Sequence, residues 1–189
     1  AARGVTPDAI SLAGAAAALA CGAGIATGAF GLALLALVAS RVADGLDGAV
    51  ARRAGLSDFG GFLDIVCDFV FYAAVPLGFA LHDPAANALA AAALLASFYI
   101  NGASFLGFAA LAERRGMTTA VRGRKTLYFT TGLAEGTETI AVFVAMLLAP
   151  GWFAILAHGF AALCLVTFGA RVALARRVFG ENRLDNPPG

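Results

Sequence analysis

Long apolar segments recur through almost the whole chain, and they constrain its fold more than any other feature. A membrane-spanning helix needs about 20 predominantly apolar residues, and six stretches qualify: 9–30, 32–51, 59–81, 85–112, 127–149 and 153–175. Of the 189 residues, 60% are hydrophobic and only 13% are charged, which is too little charge to cover a water-facing surface. The sequence therefore predicts an all-α integral membrane protein with six transmembrane helices, in a single domain over residues 1–189.

Basic residues mark one side of the predicted membrane. Arg41 and Arg171 fall inside predicted spans, whereas the other eleven Lys and Arg residues lie on one side of the spans: Arg3, Arg52, Arg53, Arg114, Arg115, Arg122, Arg124, Lys125, Arg176, Arg177 and Arg183. The opposite connections carry none. Because cytoplasmic loops are enriched in Lys and Arg, we expect both termini in the cytoplasm. The formal net charge of +1 is too small for a general nucleic-acid binder.

Four aspartates interrupt the apolar pattern where the second and third spans meet. Asp44 and Asp47 lie near the end of one span, and Asp64 and Asp68 near the start of the next. An unpaired charge at mid-membrane costs at least roughly 2.5 kcal/mol. The presence of four carboxylates in these apolar segments therefore requires a structural or functional explanation. The short connection between the spans predicts antiparallel neighbouring helices with all four carboxylates at one level. Such a cluster predicts a site for two hard divalent cations such as Mg²⁺, Mn²⁺ or Ca²⁺, just below the cytoplasmic surface.

Small residues and an arginine accompany the aspartates. Gly48 and Gly61 remove side chains beside the carboxylates, which would let a phosphate-bearing ligand approach the backbone closely. Close packing between membrane helices is the alternative explanation for both glycines. Arg52, one turn from Gly48, has a planar fork suited to phosphate, although a basic anchor at the cytoplasmic surface is the alternative.

Together these residues resemble the signature DxxDGxxAR-x8-GxxxDxxxD of the CDP-alcohol phosphatidyltransferase family, in which Gly61 matches the second glycine. Thr6-Pro7-Asp8 is similar to the family's Thr-Pro-Asn opening of the first helix, and we expect Thr6 to be the helix N-cap. Residues 125–139 are similar to a bacterial inner-membrane subgroup of the family. The resemblance implies a six-helix fold in the bacterial inner membrane, an active site facing the cytoplasm, and a homodimer.

The reaction that the resemblance implies is transfer of a phosphatidyl group to the hydroxyl of an alcohol, with release of CMP. The expected donor is a CDP-lipid, CDP-diacylglycerol above all, and the expected cofactors are two Mg²⁺ or Mn²⁺ ions. Carried over by position, Asp44, Asp47, Asp64 and Asp68 match the metal ligands. Asp68 also matches the proposed general base, and Gly48, Ala51, Arg52 and Gly61 match positions lining the nucleotide.

The sequence indicates the acceptor less clearly than it indicates the reaction. Lys125 and Arg171 could receive a phosphorylated polyol such as glycerol 3-phosphate or inositol phosphate. Glu135 and Glu138 would oppose an anionic acceptor unless paired with these cations, and could instead hold an amine-bearing alcohol such as serine, choline or ethanolamine. Interhelical hydrogen bonds are a purely structural explanation for both glutamates.

A membrane transporter is the competing class of protein, because acidic residues inside a membrane often mark paths for metal ions or protons. A transport path needs polar groups that reach both sides of the membrane. All four aspartates instead lie at one end of their spans, and the outer halves of the spans are almost purely apolar. The distribution therefore favours an enzyme.

Overall fold

The computed structural model of the protein describes residues 6–55, 57–117 and 136–180. These residues form helices without any strand: α1 (Pro7–Ala26), α2 (Phe30–Ala54), α3 (Asp58–His82), α4 (Pro84–Arg114), α5 (Gly136–Leu148), a 3-10 turn (Pro150–Trp152) and α6 (Phe153–Phe179). The all-α prediction is confirmed, and the helices match the predicted spans to within a few residues, except that α5 is described only from Gly136.

Local sequence explains where three of the helices begin. The Thr6 side chain accepts a hydrogen bond from Ala9 N at 3.3 Å with Pro7 in the first turn, as predicted. Ser57 caps α3 by accepting from Gly60 N at 3.0 Å, and Asp83 caps α4 by accepting from Ala86 N at 3.1 Å. Each cap satisfies a backbone N–H that would otherwise lack a partner at the helix start.

Among the residues that the structure describes, four segments are long and apolar enough to cross a membrane: α1, α3, α4 and the continuous stretch Pro150–Phe179. Within the described range α5 is apolar but shorter. α2 has the same length as α3, but its charged side chains keep it below the hydropathy of the other long helices. The six-span count therefore stays a prediction for α2 and α5.

Contacts at the helix ends define two ends of the bundle. Asp8 at the start of α1 lies beside Gly60 at the start of α3, whereas Gly28 after α1 lies beside His82 at the end of α3. The first of these ends also holds the connection from α2 to α3, with Arg52 in the last turn of α2.

Contacts in the second half of the chain likewise bring two helix ends together. Arg115, just after α4, donates hydrogen bonds to the carbonyl oxygens of Val178 and Phe179 at 3.2 and 3.1 Å. The C-terminal ends of α4 and α6, both rich in arginine, are therefore adjacent.

Packing divides the helices into two groups, and α3 joins them because it packs against both α1 and α4. α1 packs against α2 and α3, and α4 packs against α6 and α3. The rings of Phe79 in α3 and Phe153 in α6 stack with centroids 4.2 Å apart. α1 and α3 approach most closely at Gly22, where an added Cβ would lie 2.6 Å from the Ala74 carbonyl oxygen. Small residues at this crossing allow the two backbones to touch.

Candidate active site

The four aspartates lie on α2 and α3, near the connection between these helices, as the sequence predicts. They interact electrostatically across the two helices: Asp44 with Asp47, Asp64 and Asp68, and Asp64 with Asp47 and Asp68. Asp47 is buried, with 6% of its surface exposed, Asp44 and Asp68 are half-buried, and Asp64 is exposed. The structure therefore brings the predicted carboxylates into one acidic cluster.

The backbones of α2 and α3 are not the direct neighbours that the short connection suggested. Both helices pack on α1, and their described backbones scarcely approach each other. Side chains fill the space between them, among them Arg41 from α2, whose guanidinium carbon lies 3.9 Å from the ring centre of Phe71 in α3. The carboxylates therefore face each other across a gap that side chains bridge.

Arg41 is a site residue to which sequence reasoning gave no role. Its Nη1 lies 3.0 Å from Asp68 Oδ1 and 3.6 Å from Asp44 Oδ2, so a single guanidinium pairs with carboxylates from both helices. Arg41 precedes Asp44 by three residues, and helical spacing alone could have suggested that contact. The contact with Asp68 depends on how α2 and α3 are placed.

Ser11 on α1 is a second residue that sequence reasoning missed. Its hydroxyl donates to Asp47 Oδ2 at 2.5 Å, and both side chains are buried. A buried carboxylate needs donors to replace water. Ser11 therefore fixes one carboxylate of the cluster from the helix that packs against both α2 and α3.

The chemistry of the cluster fits hard divalent cations, because all four carboxylates offer oxygen ligands. In the described part of the chain, however, no three potential ligands converge closely enough to hold an ion. The reason is visible in the contacts above, since Asp44 and Asp68 turn to Arg41 while Asp47 turns to Ser11. The donor set is present, and an ion would have to draw the carboxylates away from Arg41.

Residues predicted to line a nucleotide lie beside the cluster. A Cβ added to Gly48 would lie 3.4 Å from Arg52 Nη1, so the exposed arginine folds back over the glycine one turn earlier. Ala51, on the same stretch of α2, is half-buried. No described neighbour packs on Gly48 apart from the Arg52 side chain, so helix packing gives no reason for a glycine there.

The assignment of the second signature glycine needs a correction. The signature has eight residues between its arginine and this glycine, and three between the glycine and the next aspartate. In this chain Gly61 fits the first spacing and Gly60 the second, so the segment from Arg52 to Asp64 is one residue shorter than the signature. The spacing to the aspartates assigns the position to Gly60. Gly60, Asp64 and Asp68 follow one another at four-residue spacing and so share a face of α3. Gly60 is half-buried, whereas Gly61 is exposed and an added Cβ there would meet no described atom within 4 Å.

The predicted acceptor residues are only partly described. Lys125 and Glu135 lie outside the described residues, and Glu138 is exposed in the first turn of α5. Arg171 in α6 donates from Nη1 to Asn101 Oδ1 at 2.7 Å and to Ser104 Oγ at 2.8 Å, both in α4. Sequence reasoning did not identify these two polar partners. They hold the arginine between α4 and α6.

The fold and the site define a membrane-embedded helical protein with an acidic site at one end of the bundle. The model of the CDP-alcohol phosphatidyltransferase family matches residues 4–168. The chain is also 48% identical to the inner membrane protein YnjF of Escherichia coli (strain K12) over 169 residues, which is 89% of this chain and 82% of that protein. The chain therefore belongs to the CDP-alcohol phosphatidyltransferase family, and it is an enzyme of that class.

A solved structure supports the fold. The crystal structure of Mycobacterium tuberculosis phosphatidylinositol phosphate synthase (PgsA1) in apo form matches with a TM-score of 0.67 over 91% of this chain and 90% of that chain. Sequence identity to it is 20%, so this likeness speaks for the architecture alone.

Proposed function

We propose that the protein transfers a phosphatidyl group from CDP-diacylglycerol to the hydroxyl of a phosphorylated polyol, glycerol 3-phosphate or an inositol phosphate, and releases CMP. The observation that carries the proposal is the acidic cluster of α2 and α3 with the Gly48 and Arg52 pair beside it. Family membership supplies the reaction class. The donor and the acceptor are the proposed parts.

In the proposed reaction the acceptor oxygen attacks the lipid-bearing phosphorus, and the bond from that phosphorus to the oxygen of CMP breaks. Asp68 takes the proton of the acceptor hydroxyl, and Arg52 offers its guanidinium to the diphosphate. Asp44, Asp47, Asp64 and Asp68 would hold two Mg²⁺ or Mn²⁺ ions. When bound, these ions neutralise the diphosphate and stabilise the charge that develops on CMP.

Arg171 supports an anionic acceptor. It is a permanent cation within an apolar helix, and its hydrogen bonds to Asn101 and Ser104 fix the position of its guanidinium. A phosphate group on the acceptor is an anion of the kind that the planar guanidinium fork binds. The exposed carboxylate of Glu138 leaves an amine-bearing alcohol as the alternative acceptor, which the assay below separates.

The proposed orientation places six spans in the membrane, both termini in the cytoplasm and the acidic cluster near the cytoplasmic surface. The basic ends of α2, α4 and α6 support it, because Arg52, Arg114 and Arg176 lie at the ends of helices that finish on one side. Donor lipid would then enter from the bilayer, while CMP and acceptor exchange with the cytoplasm. We also propose the homodimer that the family resemblance implies.

CMP release by the purified protein in detergent tests the proposal. CDP-diacylglycerol and Mg²⁺ or Mn²⁺ are supplied with one acceptor at a time: glycerol 3-phosphate, inositol phosphate, inositol, serine, choline or ethanolamine. We expect release that depends on a phosphorylated polyol, loss of that release in Asp68→Asn, and its retention in Asp58→Asn, which removes an exposed carboxylate at the start of α3.

Two results would contradict the proposal. Release that depends on choline or ethanolamine instead would transfer the acceptor assignment to Glu135 and Glu138. Release with none of these acceptors, together with no binding of CDP-diacylglycerol, would overturn the donor.

A further inference from the structure

Arg41 lies where a cation between Asp44 and Asp68 would lie. Its Nη1 is 3.0 Å from Asp68 Oδ1 and 3.6 Å from Asp44 Oδ2, and only 15% of its side chain is exposed. The guanidinium therefore supplies positive charge to both helices of the acidic cluster at once.

The carboxylates contribute much of what holds this guanidinium in place. Arg41 Nη2 donates to Ser40 Oγ at 3.2 Å, and the group lies over the Phe71 ring. Arg41 Nε is buried and has no hydrogen-bond partner within the described residues. Hydrogen bonds therefore do not fully satisfy this guanidinium. Its position depends on the carboxylates of Asp44 and Asp68 with which it pairs.

Charge explains why the cluster needs this arginine when no metal ion is bound. Four carboxylates within reach of one another repel, and burial strengthens the repulsion. One guanidinium offsets part of that charge and bridges the gap between α2 and α3. A divalent cation that takes Asp44 and Asp68 as ligands would bring more positive charge to the same place and would repel Arg41.

We propose that Arg41 is the counter-cation of the metal-free site and competes with divalent cations for Asp44 and Asp68. On this view the arginine releases the two carboxylates when an ion binds and pairs with them again when the ion leaves. The inference rests on the proposed function, in which these aspartates hold the ions. It adds that a residue of this chain weakens the affinity for them.

Mn²⁺ binding to the metal-stripped full chain in detergent, measured by isothermal titration calorimetry, tests this role. We expect Arg41→Gln to bind Mn²⁺ at least about tenfold more tightly than the unchanged protein, because a unit charge a few Å from the ion opposes its binding strongly. Arg41→Lys keeps the charge without the planar fork, and we expect an intermediate affinity. Arg115→Gln is the matched control, because it removes an arginine that binds carbonyl oxygens of α6 instead of the carboxylates.

Thermal unfolding provides a second measurement. Without metal, Arg41→Gln should unfold at a lower temperature than the unchanged protein, since the carboxylates lose their counter-cation. Saturating Mn²⁺ should raise its midpoint by more than it raises that of the unchanged protein. If Arg41→Gln does not fold, Arg41→Lys carries the comparison in both measurements.

The possible outcomes distinguish the role of Arg41 from the existence of the metal site. Unchanged or weaker Mn²⁺ binding by the Arg41 variants, with normal binding by the unchanged protein, would overturn the competition and leave the metal site standing. Absence of Mn²⁺ binding in every protein, the unchanged one included, would overturn the proposed metal site and the role of Arg41 with it.

Discussion

Gly60 provides the sharpest test of how a ligand would approach the acidic cluster. Gly60→Ala adds a methyl group on the face of α3 that carries Asp64 and Asp68. The added Cβ would lie 3.0 Å from Ser57 Oγ and 3.7 Å from Asp8 Oδ1, so only side-chain atoms at the start of a helix have to yield. Loss of the Ser57 cap would cost about 1 kcal/mol, and the better helix propensity of alanine offsets about the same amount.

The expected result is a nearly unchanged stability with impaired donor binding. A methyl group placed where a diphosphate meets the backbone should cost about 1–3 kcal/mol, which corresponds to a rise of about 5- to 150-fold in KM for CDP-diacylglycerol. KM from the CMP-release assay and the thermal midpoint in detergent measure the two quantities. Gly159→Ala in α6 is the control, because this helical glycine is far along the chain from the cluster and an added Cβ there meets no described atom within 4 Å.

Gly61→Ala completes the comparison, because Gly61 is exposed and its added Cβ meets open space. We expect its effect on KM to be smaller than that of Gly60→Ala. An equal or larger effect would show that the ligand approaches α3 on the side of Gly61. An unchanged KM in Gly60→Ala would refute the idea that a ligand needs the bare backbone at that position.

Three further predictions follow from contacts in the bundle. Ser11→Ala leaves the buried Asp47 without its hydroxyl donor and should lower the free energy of unfolding of the metal-free protein by about 1.5–3 kcal/mol. Ser11→Thr keeps the hydroxyl and should lower that free energy by less. Equal decreases in the two variants would contradict this role of the hydroxyl. Gly22→Ala forces a methyl group against the Ala74 carbonyl oxygen and should lower the thermal midpoint in detergent; an unchanged midpoint would mean that α1 and α3 are not in tight contact. Arg52→Gln should raise KM for the donor more than Arg52→Lys does, and equal effects of the two variants would exclude a role for the planar fork.

The sequence predicted those parts of the molecule that depend on local pattern. Apolar length located the helices, and the Thr6 cap followed from a residue type that precedes helices. The aspartates were found because carboxylates are costly in an apolar segment. The neighbouring glycine was assigned one residue away from its place, since Gly60 and Gly61 are adjacent and both lie close to the face of Asp64.

What the sequence did not predict depends on tertiary packing. Ser11 and Asp47 are 36 residues apart, and Arg41 and Asp68 are 27 apart. No periodicity connects such pairs, because α1 has to dock on α2 and α3 before the side chains meet. The pairing of Arg171 with Asn101 and Ser104 likewise appears only once α4 and α6 lie side by side.

The charge on α2 bears on how this helix, as the proposed second span, would enter the bilayer during synthesis. On scales derived from insertion experiments, arginine and aspartate near the middle of a segment each oppose transfer into lipid by roughly 2.5–3.5 kcal/mol. Arg41, Asp44 and Asp47 therefore make α2 a poor candidate for independent insertion. α1 and α3 both adjoin α2 along the chain and are apolar enough to cross a membrane. They also supply the partners that α2 does not contain, Ser11 for Asp47 and Asp68 for Arg41. The residues that form the acidic cluster thus also tie the integration of this helix to that of its neighbours.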